Sequence, residues 1–474
     1  MRGTLAPMQP NDLAYAGAAE QARLIRDREA SAREVVEATL AQIDRLDSEL
    51  RAYRVVFAER ALAEADAYDA GGGDKPLGGV PVAIKDDADV AGEITAWGTR
   101  AYGAPKAVDS DVVVRLRDAG AIVIGKTQVP EMTMWPWTVS AGYGSVRNPW
   151  GLDRTPGGSS GGSAAAAATG MCGVALGSDG GGSIRYPAAL SGLFGIKTQR
   201  DRISLGPDHH DAWNGLSVYG PLARSVADAA LFLDATAQSV PDAGFSAALE
   251  ETQRPLRVAV SFKPPKGSLA RLGGEQRRAV ESTAELLRSL GHQVVEREVD
   301  MPFSVILNLT IRYLRGLRHD IGTLPRPDLL ERNTRRMAAL GGLVTDGILE
   351  KARRDEAELA TRVNRNYDGA DVVLMPMIPG QAPKIADLTS RGTAWTFNRA
   401  AMEVAYTAPW NVIGQPAASV PTGLDSDGLP LAVQLCGRAG DEVTLLRLAA
   451  QIEEARPWAQ IRPPVDSAAA LAPA

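Results

Sequence analysis

Gly157-Gly-Ser-Ser-Gly-Gly-Ser163 and, past a run of alanines, Ser178-Asp-Gly-Gly-Gly-Ser-Ile-Arg185 decide how this chain is read. They lie in a stretch, 142–196, where glycine is interleaved with serine and alanine. Regular structure is hard to sustain in such a composition, so the expectation there is a set of tight backbone turns. Ala164 to Leu176 is apolar but too short and too small in side chain to span a bilayer, and it reads as a buried helix packed close to its neighbours. Upstream, Pro81-Val-Ala-Ile-Lys85-Asp86 reads as an apolar strand ending on a lysine.

Working outward, Ser31-Ala-Arg-Glu34 is a capping box, and Val36, Leu40 and Ile43 mark one face of the helix it opens. Residues 112–117 suit a helix closed by Gly120, and Ala121-Ile-Val-Ile124 a buried strand. Farther on, strand 257–260, amphipathic helix 275–290 and strand 293–299 form a βαβ unit. Strands at 372–375 and 431–435 and a closing helix at 442–454 complete an alternation that favours an α/β fold. No low-complexity linker or internal repeat divides the chain, so one domain over 1–474 is expected. Within it, 300–395 reads as a variable insert and 465–474 as a loose tail.

Composition narrows the function classes. The chain has 474 residues, 45% of them hydrophobic, with 51 basic and 57 acidic side chains and a net charge of −6. No basic excess points to nucleic acid. Two cysteines, Cys172 and Cys436, cannot build a disulfide framework, and four histidines outside any H-E-x-x-H pattern leave little basis for a metal site. Met1–Pro10 lacks the apolar core of a secretory signal. A cytoplasmic protein, off the membrane, is the expectation, with oligomeric state left open, a homodimer included.

Two pattern matches mislead. Gly120-Ala-Ile-Val-Ile-Gly125-Lys126-Thr127 fits the phosphate-binding loop letter for letter, but its middle residues want to be a buried strand, which leaves Lys126 as a charge at a strand end. Gly158-Ser-Ser-Gly-Gly162 fits the nucleophile elbow, yet turn-formers precede it instead of a strand.

Taken together, the two glycine–serine blocks, Lys85 on its strand, Gly192-Leu-Phe-Gly-Ile-Lys197, Arg147-Asn-Pro-Trp150 and Trp410-Asn-Val-Ile-Gly-Gln-Pro416 resemble the amidase signature family over about residues 20–460. The resemblance implies a single mixed, twisted β-sheet with helices on both faces and a Ser-Ser-Lys triad. Ser183 would be the nucleophile, Ser159 the bridging serine and Lys85 the base. It also implies a cis peptide at Gly158–Ser159, an oxyanion hole from Gly180, Gly181, Gly182 and Ser183, and support from Gly158, Ser160, Asp179 and Arg185. No cofactor is required. The chemistry is coherent in itself: a serine hydroxyl needs a base, and lysine serves near neutrality only when burial lowers its pKa.

Asp87, next to Lys85-Asp86, would raise that pKa if it turned inward, and is expected to point out. Lys197-Thr-Gln-Arg-Asp-Arg202 departs from the family's usual Lys-Pro-Thr-x-Gly-Arg, which bears on loop shape only. Met132, Met134, Trp135, Trp137 and Tyr143 are candidates for a pocket wall, with Trp213 and Trp395 weaker ones; core packing is the competing reading for them. The expected activity is hydrolysis of a small hydrophobic or aryl carboxamide through an acyl-enzyme on Ser183, with esters or carbamates as side substrates. The triad alone does not separate this from the glutaminase subunit of a tRNA-dependent amidotransferase. Nor does the sequence by itself exclude a non-catalytic scaffold of the same fold.

Overall fold

The computed structural model describes residues 9–207, 209 and 211–467. Strands alternate with helices along the chain: β1 Tyr53–Val56, β2 Pro81–Lys85, β3 Ile122–Thr127, the short pair β4 Val139–Ser140 and β5 Gly144–Ser145, then β6 Val174–Asp179, β7 Phe194–Lys197 and β8 Val218–Ala223. β9 Arg257–Val260, β10 Gln293–Glu296, β11 Val372–Pro376, β12 Ala417–Leu424 and β13 Pro430–Cys436 follow. Eleven of them form one sheet in the order β1-β3-β2-β6-β8-β7-β12-β13-β11-β9-β10. β3, β2 and β6 are mutually parallel, as are β11, β9 and β10. The strands between these two groups pair antiparallel.

The inner strands are largely apolar because both faces are covered, and their period of two sorts side chains between two layers. Val82 and Ile84, Val174 and Leu176, Val258 and Val260, and Val372 and Leu374 all enter one core. It is shared with helices Val226–Thr236, Gly274–Ser289 and Glu442–Ala455. The residues between them face the other way. Ala83 and Ala175 pack beneath helices Ala32–Leu50 and Gly161–Ala168, whereas Ala259, Val373 and Met375 pack beneath Phe303–Gly322. The segment 300–395 therefore shares a core with the sheet. It is an α/β single-domain fold with helices on both faces.

The capping box forms in full: Ser31 Oγ accepts from Glu34 N–H and the Glu34 carboxylate accepts from Ser31 N–H. The glycine-rich stretch is more regular than its composition suggests. It carries helix Gly161–Ala168, β6, helix Arg185–Leu190 and β7, because some of its small residues serve close packing, while Gly144, Gly157, Gly170, Gly182 and Gly192 take the positive φ of the expected tight turns. At Gly162 an added Cβ would sit 2.4 Å from the Ala52 carbonyl oxygen. Lys126 also departs from expectation. It lies wholly buried in β3, with Nζ 2.9 Å from Asp86 Oδ1 and donating to Thr95 Oγ1, while Arg54 pairs with the same Asp86. Of the expected tail, Val465 is buried, and residues 468–474 lie outside the described residues. No helix among the described residues is long and apolar enough to cross a membrane.

Replacing Ser31 by alanine removes one orphan-donor partner at the exposed end of helix Ala32–Leu50. The expected result is a loss of about 1 kcal/mol of stability, read as a lower urea midpoint.

Candidate active site

β2 and β6 run side by side with Val82 opposite Val174 and Ala83 opposite Ala175. Their carboxyl ends therefore emerge together, which in α/β sheets is where ligand sites form. Lys85 ends β2, and Ser178-Asp179 ends β6. Lys85 is fully buried, and its Nζ donates to Ser159 Oγ at 2.7 Å and Ser178 Oγ at 2.6 Å. Asp87 Oδ2 lies 3.2 Å from the same nitrogen and accepts from Ser178 Oγ at 2.5 Å. Burial pushes the Lys85 pKa down, and the Asp87 carboxylate partly offsets it.

The inward position of Asp87 corrects the expectation that it points out. Ser178 is the reason, because its hydroxyl offers the carboxylate a donor inside the protein. Asp87 Oδ1 has no hydrogen-bond partner among the described residues.

Ser159 follows a cis peptide from Gly158 and is buried at the head of helix Gly161–Ala168. Thr138 fixes the loop by donating N–H and Oγ1–H to the Gly157 carbonyl, at 3.0 and 2.9 Å. Ser160 donates its hydroxyl to the Ser178 carbonyl and its N–H to the Ser183 carbonyl, tying the two serine loops together. Ser183 and Ser159 line one small chamber.

Asp179 and Arg185 brace the Ser183 loop. Both are wholly buried, and the guanidinium meets the carboxylate through Nε at 3.0 Å and Nη2 at 2.9 Å. Arg185 also donates to Asn411 Oδ1, Gln434 Oε1 and the Thr407 carbonyl, so the C-terminal part of the chain holds it too. Burial alone would raise the Asp179 pKa, but the Arg185 charge and hydrogen bonds bring it well below the usual carboxylate range. Asp179 Oδ1 also accepts the Gly182 N–H at 2.6 Å. This corrects the expected oxyanion hole: Gly182 spends its donor on the brace, leaving Gly180, Gly181 and Ser183 as candidates. Gly182 has φ +136°, and a Cβ there would lie 2.3 Å from Thr407 Oγ1, so glycine is required.

Above Ser183 opens an apolar cavity of about 490 Å³. Met134 and Trp135 line it as expected, with Trp213, Phe303, Tyr313 and Phe397. Met132 and Trp137 are buried in the core behind this wall, Trp137 stacked on Trp135 at 6.0 Å. Tyr143 is not in the wall: the β4–β5 turn directs its hydroxyl to the Thr99 carbonyl. Trp395 stands apart under Arg391. Ser178 and Asn411 were not singled out from the sequence, although both sit within the quoted motifs. Lys197, the last residue of β7, is buried, and burial with the Arg185 charge brings its pKa down to about 7.

Asp179→Asn leaves Arg185 buried without its counter-charge, so a loss of about 3–5 kcal/mol is expected, visible as a lower thermal midpoint. A depressed carboxyl pKa gives stability that is full above the ordinary value and lost as pH falls through the native one. The wild type should accordingly lose stability in acid more steeply than the variant.

Residues 34–446 match the family model described as Amidase. Over 463 residues the chain is 50% identical to the mycobacterial protein named "Putative amidase AmiB2" of Mycobacterium tuberculosis, covering 97% of this chain and all of that one. It is 34% identical to the 6-aminohexanoate-cyclic-dimer hydrolase of Paenarthrobacter ureafaciens, covering 94% and 96% of the two chains. The solved structure of a 6-aminohexanoate cyclic dimer hydrolase complexed with substrate superposes with a TM-score of 0.88 at 32% identity, over 96% of this chain and 100% of the other. With Lys85, Ser159 and Ser183 gathered at the ends of β2 and β6, the chain belongs to the amidase signature family and is an amidohydrolase.

Proposed function

We propose that this amidase hydrolyses a small hydrophobic or aryl carboxamide through an acyl-enzyme on Ser183, with Ser159 as proton relay and Lys85 as base. The observation that carries the reading is the buried Lys85 Nζ, 2.7 Å from Ser159 Oγ, at the chamber into which Ser183 opens.

An ammonium has three N–H donors, and here Ser159, Ser178 and Asp87 lie around it. A neutral amine has two donors and a lone pair, so it can keep Ser178 and Asp87 and accept from Ser159. Ser159 can then take the Ser183 proton as Oγ attacks the carbonyl carbon. The negative charge forming on the carbonyl oxygen would meet the N–H groups of Gly180, Gly181 and Ser183, the donors left once Gly182 is committed. When the tetrahedral species collapses, the relay returns the proton to the departing nitrogen. Water then repeats the sequence on the acyl-enzyme.

The apolar cavity supports a hydrophobic acyl group over glutamine, whose charged α-substituents need polar partners. Helix Phe303–Gly322, from the variable 300–395 segment, supplies Phe303, Ile306 and Tyr313 to its wall, so this segment is proposed to select the acyl group.

Ser183→Ala should lower kcat for an aryl-alkyl carboxamide by on the order of 10⁴-fold or more, measured by product release. Unchanged turnover would overturn the mechanism. Asp87→Asn removes the negative charge that favours the ammonium form of Lys85. The limb of kcat/KM that rises as Lys85 loses its proton should therefore move to lower pH, by roughly one pH unit.

A further inference from the structure

Ser183 faces two spaces of very different size and character. One is the apolar cavity of about 490 Å³. The other is an adjoining chamber of about 30 Å³ that shares Thr133, Gly180 and Trp213 with the cavity and is bounded by Asp87, Ser159, His209 and Asp320, with Leu205 at its wall. That volume is room for one or two water-sized molecules. We infer that the chamber is the seat of the departing nitrogen and of the water that replaces it, and that the enzyme is selective for primary carboxamides, which release ammonia. The inference rests on the Ser183 mechanism above and adds the identity of the leaving group.

The direction follows from the proton. A leaving nitrogen must receive its proton from the relay, so it must sit where the relay is exposed. Ser159 opens on the chamber and is absent from the wall of the apolar cavity. The acyl part therefore takes the large cavity and the nitrogen the small chamber. As the Ser183 Oγ–carbon bond forms and the carbon–nitrogen bond breaks, the proton given up by Ser183 passes through Ser159 to nitrogen, which leaves as neutral ammonia. Reversal of acylation is attack by ammonia from this same position, so the hydrolytic water attacks from there also. Its proton returns to Ser183 Oγ as the acyl–oxygen bond breaks, and the product is the carboxylic acid.

The chamber's polar groups suit such guests. Asp87 is 4% exposed, and its Oδ1 has no partner among the described residues. The Asp320 carboxylate accepts from Trp213 Nε1 at 3.2 Å and also faces the chamber. His209 Nε2 is buried with no hydrogen-bond partner among the described residues and can donate or accept according to its tautomer. Ammonia and water can each donate to the two carboxylates and accept from the imidazole. An aniline or alkylamine offers fewer N–H groups and needs volume the chamber lacks.

The test compares 3-phenylpropanamide with its N-methylamide and its anilide, which share one acyl group. One methyl group in a close-fitting pocket is worth roughly 10- to 200-fold. The wild type should therefore turn over the primary amide at least about tenfold faster than the N-methylamide, and faster still than the anilide. Leu205→Ala, which widens the chamber away from the triad, should raise the N-methylamide to primary-amide ratio. That ratio is read within one variant, so it does not depend on how much protein folds. N-methylamide or anilide turnover equal to that of the primary amide in the wild type would overturn the inference and leave the serine mechanism standing. Undiminished hydrolysis by the Ser183→Ala protein would overturn that mechanism, and the inference with it.

Discussion

A lysine taken out of water must give its N–H groups to other partners, and the arrangement of Lys85 is organised around that requirement. Its nitrogen reaches Ser159 and Ser178 at hydrogen-bond distance, with Asp87 alongside. Each of these partners binds Lys85 to a different part of the molecule. Ser178 belongs to the neighbouring strand, Ser159 to the loop that opens helix Gly161–Ala168, and Asp87 to the turn after β2. Parallel pairing of β2 with β6 brings the strand ends level; without it the serines and the lysine would not share one site. Burial lowers the lysine's affinity for a proton while Asp87 raises it, so the charge state of Lys85 is set by two opposed effects.

The second buried charge pair does for the Ser183 loop what Ser178 does for Lys85. Asp179 turns its carboxylate toward the backbone N–H groups of Gly182 and Ile184, and Arg185 holds that carboxylate in place. The guanidinium reaches onward to Thr407 and Asn411 at a short helix and to Gln434 in β13, so loop geometry is referred to distant parts of the chain. The pair is costly to desolvate, and its return is a backbone turn held rigid beside Ser183 with no side chain intruding on the carbonyl.

Much of this was legible in sequence, and what was not has identifiable causes. The strand ending at Lys85, the βαβ unit at 257–296 and the capping box rest on local pattern, and each is found close to where it was expected. The glycine-rich stretch is legible only in part, its turns but not its helices and strands, because glycine content reports both turns and close packing, and only the neighbours tell them apart. At Gly162 the neighbour is the Ala52 carbonyl, more than a hundred residues away. Asp87 was misplaced for a similar reason: its partner, Ser178, comes from a strand ninety-one residues on. The pocket wall divided between lining and core because adjacent residues in Met132–Trp137 point in different directions, which composition cannot convey.

The order of strands also bears on how the molecule comes into being. β7, residues 194–197, pairs on one side with β8 and on the other with β12, which begins at Ala417. On a ribosome, the first half of the sheet must wait with that edge uncovered while some two hundred further residues are made. Arg185 waits as well, since Thr407, Asn411 and Gln434 arrive only with the last part of the chain. Long-range closure of this kind is slow, and an open strand edge invites wrong partners. A chain that stops before Thr407 thus holds Lys85, Ser159, Ser183 and the Asp179–Arg185 pair, yet lacks the partners that tie this pair to the rest of the molecule, so completeness of synthesis is built into the site.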